Sequence, residues 1–273
     1  MADPSGKRST FRPCLALLAM LATTLQPGLA QVCSFWDGGC VDPYAQTAVT
    51  FDFSPLLLDD LTLYYAYDAN SRGKGNEPMT KASFWMGTEA HHMNSAVIDS
   101  NRTLEVGLRV GNLTGTPSGG TNGCDGVWGP QCSMNLKETL KEAIFQLSVK
   151  GEYYTYPLET VLHEMLVNPP GLPNCPPPFF DVQRIPVQPF ASETVSDKLA
   201  RIKTSGSSDN PWKTWYIDNM TAKQQADQVA VAIISRSPSY DSPPLKSKND
   251  VQIELVCLQA PSSGGSSSNE DAT

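Results

Sequence analysis

The sequence predicts a β-rich α+β domain, in its simplest form a β-sandwich with two inserted helices and three disulfides. Three observations carry that prediction. Alternating apolar and polar residues dominate the first half and the last third, and helical spacing is confined to residues 136–166. Six cysteines remain once an N-terminal leader is set aside.

The leader comes first. Lys7, Arg8 and Arg12 form a basic head, Cys14 to Ala22 an apolar run, and Gln26 to Ala30 a helix-breaking stretch ending in small residues. That order is the order of a secretory signal peptide, and the run is too short to span a bilayer. Residues 1–30 are expected to be cleaved, leaving a secreted, extracellular chain that starts at Gln31. Residues 31–260 then form one disulfide-bonded β-rich domain, and 261–273 a flexible Ser/Gly-rich acidic tail. Lys7, Arg8 and Arg12 against Asp3 give the leader a charge of +2, so its loss takes the formal charge from −8 to −10. A chain this acidic repels phosphate backbones, which excludes nucleic acid as a partner. No basic amphipathic stretch suggests a membrane surface, and no membrane insertion is expected of the mature form.

Strand signals follow in order. Val49 to Phe53 alternates, Leu61 to Tyr67 is rich in β-formers, and Leu104, Val106, Leu108 and Val110 alternate with Glu105, Gly107 and Arg109. Thr114 to Gly123 is glycine-rich and reads as a mobile surface loop; it lacks the P-loop pattern. The period then changes. Leu136, Leu140, Ala143, Ile144 and Leu147 predict a helix, and Asn135 with Glu138 has the form of a capping box. A second helix is expected from Pro157, with Leu158, Val161, Leu162, Met165 and Leu166 as its apolar face and Pro169-Pro170 as its stop. A proline-dense connector carries Cys175. Strands resume over 199–204, 212–217, 229–235 and 251–258; residues 221–228 are either a short helix or a polar turn.

The six mature cysteines are Cys33, Cys40, Cys124, Cys132, Cys175 and Cys257. An even count in a secreted chain predicts three disulfides, and the short spacings favour Cys33–Cys40 and Cys124–Cys132, leaving Cys175–Cys257. Neither short pair has the spacing of a zinc knuckle, so no metal is expected. Asn101, Asn112 and Asn219 each begin an Asn-x-Thr sequon, marking them as surface glycosylation sites.

The blocks 149–159, 168–181, 210–218 and 251–261 resemble a group of uncharacterised secreted fungal glycoproteins, some with Ser-rich C-terminal tails. The resemblance covers roughly residues 124–260. It implies secretion and a fungal source, and it carries over no activity and no functional residue.

Candidates for chemistry are few. His163 lies four residues after Glu159 on the second predicted helix, so the carboxylate could orient the imidazole as a general base requires. The plainer reading is an exposed pair worth a few tenths of a kcal/mol to the helix. His91 is the other weak candidate; it adjoins His92, and in an extended segment the two would point to opposite faces. Asp52, Asp59 and Asp60 lack calcium-loop spacing. No nucleophile elbow occurs, and no cofactor is implied. Tyr64, Tyr65, Tyr67, Phe84, Trp85, Tyr153, Tyr154, Tyr156, Trp212 and Trp215 either pack the core or offer aromatic faces to a ligand. The reading that follows is a secreted glycoprotein acting as a non-catalytic binding module for a carbohydrate, cell-surface or host partner. The alternative is a cofactor-independent isomerase, cyclase or hydrolase with an aromatic-lined pocket and a His163/Glu159 acid–base pair.

Overall fold

A computed structural model of the chain describes residues 45–53, 61–68, 74–86, 92–94, 102–152, 154–190, 192–196, 199–202, 211–238, 243–260 and 267–268. Strands from the first half and the last third combine in two largely antiparallel sheets. The first contains β1 (Ala45–Phe51), β2 (Leu61–Asp68) and β3 (Met79–Met86). The second is centred on β5 (Arg102–Arg109), which follows the short β4 (His92–Asn94).

Three helices come next: α1 (Asp125–Trp128), α2 (Pro130–Val149) and α3 (Pro157–Val167). Strands β6 (Val187–Pro189), β7 (Ser192–Ser196), β8 (Leu199–Ile202) and β9 (Lys213–Asp218) follow. The chain closes with α4 (Ala222–Ala226), β10 (Ala230–Pro238), β11 (Gln252–Leu258) and β12 (Ser267–Ser268). Helix α4 settles the ambiguity at 221–228, because Thr221 and Gln224 form a reciprocal capping box at its start.

One sheet has the order β12-β1-β2-β3-β9 and another β11-β10-β5-β6; β4, β8 and β7 form a third, three-stranded sheet. Among the described strands, only the two-residue β12, inside the Ser/Gly tail, pairs in parallel, along β1. Inner-face residues of the first two sheets share one apolar cluster. Leu61, Leu63, Tyr65, Tyr67, Phe84 and Met86 come from one side; Leu104, Val106, Leu108, Ala232, Ile234 and Val256 come from the other. The opposite face of β5, β10 and β11 supplies a second cluster, in which Val231, Ile233, Ile253 and Leu255 pack with Leu136, Leu140, Ile144, Leu158, Val161 and Leu162 of α2 and α3. The helices therefore bury the second sheet's outer face.

The alternation that marks β5 therefore does not give it a solvent face. Glu105 and Gly107 lie under α3 and Arg109 against the Phe179 ring, and both charged residues are wholly buried. Close approach favours glycine at 107: a Cβ there would lie 3.2 Å from Leu162 Cδ1 and 3.3 Å from a Val187 methyl. Helix α2 begins at Pro130, with Gly129 as N-cap, so Asn135 and Glu138 are interior positions and form no capping box. Proline at the first helical position sets the start earlier.

Two of the expected cysteine pairings are overturned. Cys124 bonds Cys257, and Cys132 bonds Cys175, each with Cα atoms 5.0 Å apart. Helix α1 and Gly129 separate Cys124 from Cys132 and aim them at different neighbours: the first at the end of β11, the second at the proline connector. Cys33–Cys40 lies outside the described residues.

The glycine-rich stretch is folded into hydrogen-bonded turns rather than standing as a free loop. Ser118 N–H donates to Gly123 O (2.8 Å), Gly126 N–H to Ser118 O (2.8 Å), and Cys257 N–H to Asn122 O (3.1 Å). A Cβ on Gly126 would fall 2.7 Å from the Ser118 carbonyl oxygen, a backbone atom that cannot rotate away. Gly126→Ala is therefore expected to lower stability by about 1–3 kcal/mol, the usual range for overpacking. Urea unfolding would check it, and an unchanged midpoint would count against this tight turn.

Candidate functional site

The end of β5 turns sharply. Gly111 (φ 98°) and Asn112 (φ 53°) both adopt left-handed backbone, which glycine and asparagine tolerate best. The turn places Val110, Gly111 and Asn112 beside the segment Asp181–Arg184 and opposite Trp215, Tyr216 and Ile217 of β9. Together they line an open cleft of about 160 Å³.

Arg109 builds two of its walls from behind. Its Nε donates to Phe179 O (3.0 Å) and its Nη1 to Gly111 O, so one buried guanidinium ties the β5 turn to the chain just before Asp181. The guanidinium carbon also sits 5.3 Å from the Phe179 ring centroid. Burial lowers the Arg109 pKa to about 10, and the Asp181 charge counters part of that fall. The group stays a cation at neutral pH. Nη2 has no hydrogen-bond partner among the described residues.

At the rim, Asn112 Nδ2 donates to Asp181 Oδ2 (3.0 Å). Asn112, Asp181, Gln183 and Arg184 are all exposed, and so is Tyr216 at 47%. Trp215 is largely buried and meets Phe84 edge to face, so only part of it reaches the cleft. The cleft thus joins an aromatic wall to amide, carboxylate and guanidinium groups. Such a set can stack on a ring while donating and accepting hydrogen bonds around its edge.

The other sequence candidates do not converge here. Glu159 and His163 are exposed on α3 and line no described cavity. His91 lies outside the described residues, as do Asn101, Tyr153, Asp59 and Asp60. Asn219, with left-handed backbone (φ 58°), follows β9 and does not line the cleft. Among the described residues, no group of three or more His, Cys, Asp or Glu could hold a metal ion.

Of the aromatic residues, Tyr65, Tyr67 and Phe84 belong to the core, while Tyr154 and Tyr156 are exposed. Tyr64 stacks on Trp85 with centroids 5.6 Å apart. Sequence reading missed Asp181, Gln183, Arg184 and Tyr216; it noted Asn112 only as a sequon and Trp215 only as an aromatic.

Fold and site together describe a β-rich α+β protein with long-range disulfides and an open polar–aromatic cleft. No protein-family model, curated protein or solved structure matches the chain. Among the described residues, no helix is long and apolar enough to cross a membrane.

Proposed function

We propose that this is a secreted glycoprotein, of the fungal source its sequence blocks suggest, that binds carbohydrate without transforming it. In this reading the two facing sheets are a β-sandwich that presents the cleft. The observation that carries the proposal is the placement of Tyr216 opposite Asn112, Asp181, Gln183 and Arg184 around one opening. A sugar ring has an apolar C–H face suited to the tyrosine and a belt of hydroxyls suited to those side chains.

The cleft's 160 Å³ falls below the roughly 300 Å³ at which pockets enclosing drug-sized ligands begin. It suits a single ring of a longer glycan, with the remainder in solvent. The separation of His163 and Glu159 from the cleft favours binding over acid–base chemistry.

The test is calorimetric titration of a panel of neutral oligosaccharides against protein made in a bacterial periplasm, which forms disulfides without adding N-glycans. Tyr216→Ala should weaken the best binder about 10-fold, the worth of one good aromatic contact, and Asp181→Ala by a similar factor. Full affinity in the double variant would sink the assignment.

A further inference from the structure

The sequon Asn112-Leu113-Thr114 lies on the rim of the cleft. Asn112 and Thr114 are exposed, whereas Leu113 between them is buried and held by hydrogen bonds on both sides. Its N–H donates to Gln228 Oε1 (3.0 Å), and its carbonyl accepts from Val229 N–H (2.8 Å). The backbone at the attachment site is therefore fixed while the asparagine amide stands in solvent. That amide is also aimed. Nδ2, the atom an N-glycan attaches to, is held 3.0 Å from Asp181 Oδ2 across the rim.

We propose that Asn112 is N-glycosylated and that its first N-acetylhexosamine lies in the cleft against Tyr216. The attached sugar then occupies the site in cis, so the glycoform decides whether the cleft can take another sugar. This inference rests on the carbohydrate-binding reading above and names the regulation of that site.

In the transfer step, a bond forms between Nδ2 and C1 of the sugar as an N–H bond breaks. The C1–O bond to a lipid-linked pyrophosphate donor of the secretory pathway breaks, the pyrophosphate leaves with the electron pair, and the amide proton passes to base. One Nδ2 hydrogen remains for Asp181. A tethered sugar is also favoured by effective concentration, which for a short link reaches the millimolar range or above. Even a weak single-ring site is filled under those conditions. Asn219 does not line the cleft, so its glycan serves as an internal reference.

The experiment compares wild type, Thr114→Ala and Thr114→Ser secreted from a glycosylating eukaryotic host. Mass spectrometry reads the occupancy of Asn112. Native digestion with a peptide N-glycosidase reads the release rate at Asn112 against Asn219, and titration with N,N′-diacetylchitobiose reads the open cleft. Expected results are an occupied Asn112 in wild type and Thr114→Ser, with release at least about 10-fold slower than at Asn219. Tyr216→Ala should abolish that protection, and only Thr114→Ala should bind the free disaccharide.

An unoccupied Asn112, or release as fast as at Asn219, overturns the inference. So does equal disaccharide binding by occupied wild type and Thr114→Ala, although the carbohydrate reading then survives. If Tyr216-dependent protection is seen but no free sugar binds Thr114→Ala, the seated glycan stands and the external-ligand reading fails.

Discussion

Removing the Cys124–Cys257 bridge as a Cys124→Ala/Cys257→Ala pair should lower the thermal midpoint by roughly 10–20 °C. The bond closes a span of 133 residues. In the loop-entropy account, a crosslink of that length stabilises by about 5 kcal/mol, and a chain of this size loses about 2–4 °C per kcal/mol. Both cysteines are fully buried, so the truncations also leave unfilled space in the helix-facing cluster. The bridge anchors the start of α1 to the end of β11, where the Asn122 side chain also donates to Leu255 O (2.9 Å). Its loss should free that whole turn.

The Cys132–Cys175 bond spans 43 residues and lies inside the longer loop, so its removal should cost less, about 4 kcal/mol at most. Differential scanning calorimetry of both pairs checks the order of effects. Non-reducing peptide mapping that recovered a Cys124–Cys132 linkage would overturn the pairing itself.

The failure to read that pairing from sequence has a physical cause. Eight positions of separation look like a small loop, but the intervening residues fold as a helical turn and a bend, and helices redirect side chains within a few residues. Strands β1, β2, β5, β10 and β11 were legible, each lying near a segment that alternation or β-former content marks. Strand β3 was not: Met79–Met86 shows neither alternation nor a run of β-branched residues, so nothing local marks it.

Tertiary burial hid the character of β5. Glu105 and Arg109 look like solvent-facing charges until α3, itself legible by period, is laid over the first and Phe179 over the second. The cleft was the least legible feature. Its walls come from 110–112, 181–184 and 215–217, which meet only through tertiary packing. No local spacing could announce them, and Asp181 and Tyr216 lie in stretches with no motif of their own.

Glu105 gives the sharpest pH-dependent result. Its carboxylate accepts the N–H groups of Leu158 (2.8 Å) and Glu159 (3.1 Å), so a strand side chain caps the first turn of α3 from beneath. Burial raises its pKa from 4.5 to about 7, the bonds from Leu158 and Glu159 pull it partly back, and the Glu159 charge pushes it up again. The folded chain thus holds this proton more tightly than the unfolded chain does. Stability from this group is complete below pH 4.5, where both states are protonated, and declines as pH rises toward 7 and the folded carboxyl ionises.

The difference corresponds to about 3 kcal/mol between pH 4.5 and pH 8. Wild type should therefore melt higher at pH 5 than at pH 8 by more than its other groups explain. Glu105→Gln cannot ionise, but its one oxygen can accept only one of the two α3 N–H groups that the carboxylate oxygens accept separately, and its NH2 faces the other. This variant should start about 1–3 kcal/mol below wild type at pH 5, close that gap toward pH 8, and flatten the slope between them.

Glu105→Ala leaves the two N–H groups unpaired, the Leu158 one fully buried, and should lose about 1–3 kcal/mol at pH 5, a deficit that shrinks toward pH 8 because wild type alone carries the buried charge there. Urea unfolding of the three proteins from pH 5 to 8 separates charge from capping. If wild type and Glu105→Gln lose stability in parallel across that range, the buried carboxylate is not the titrating group.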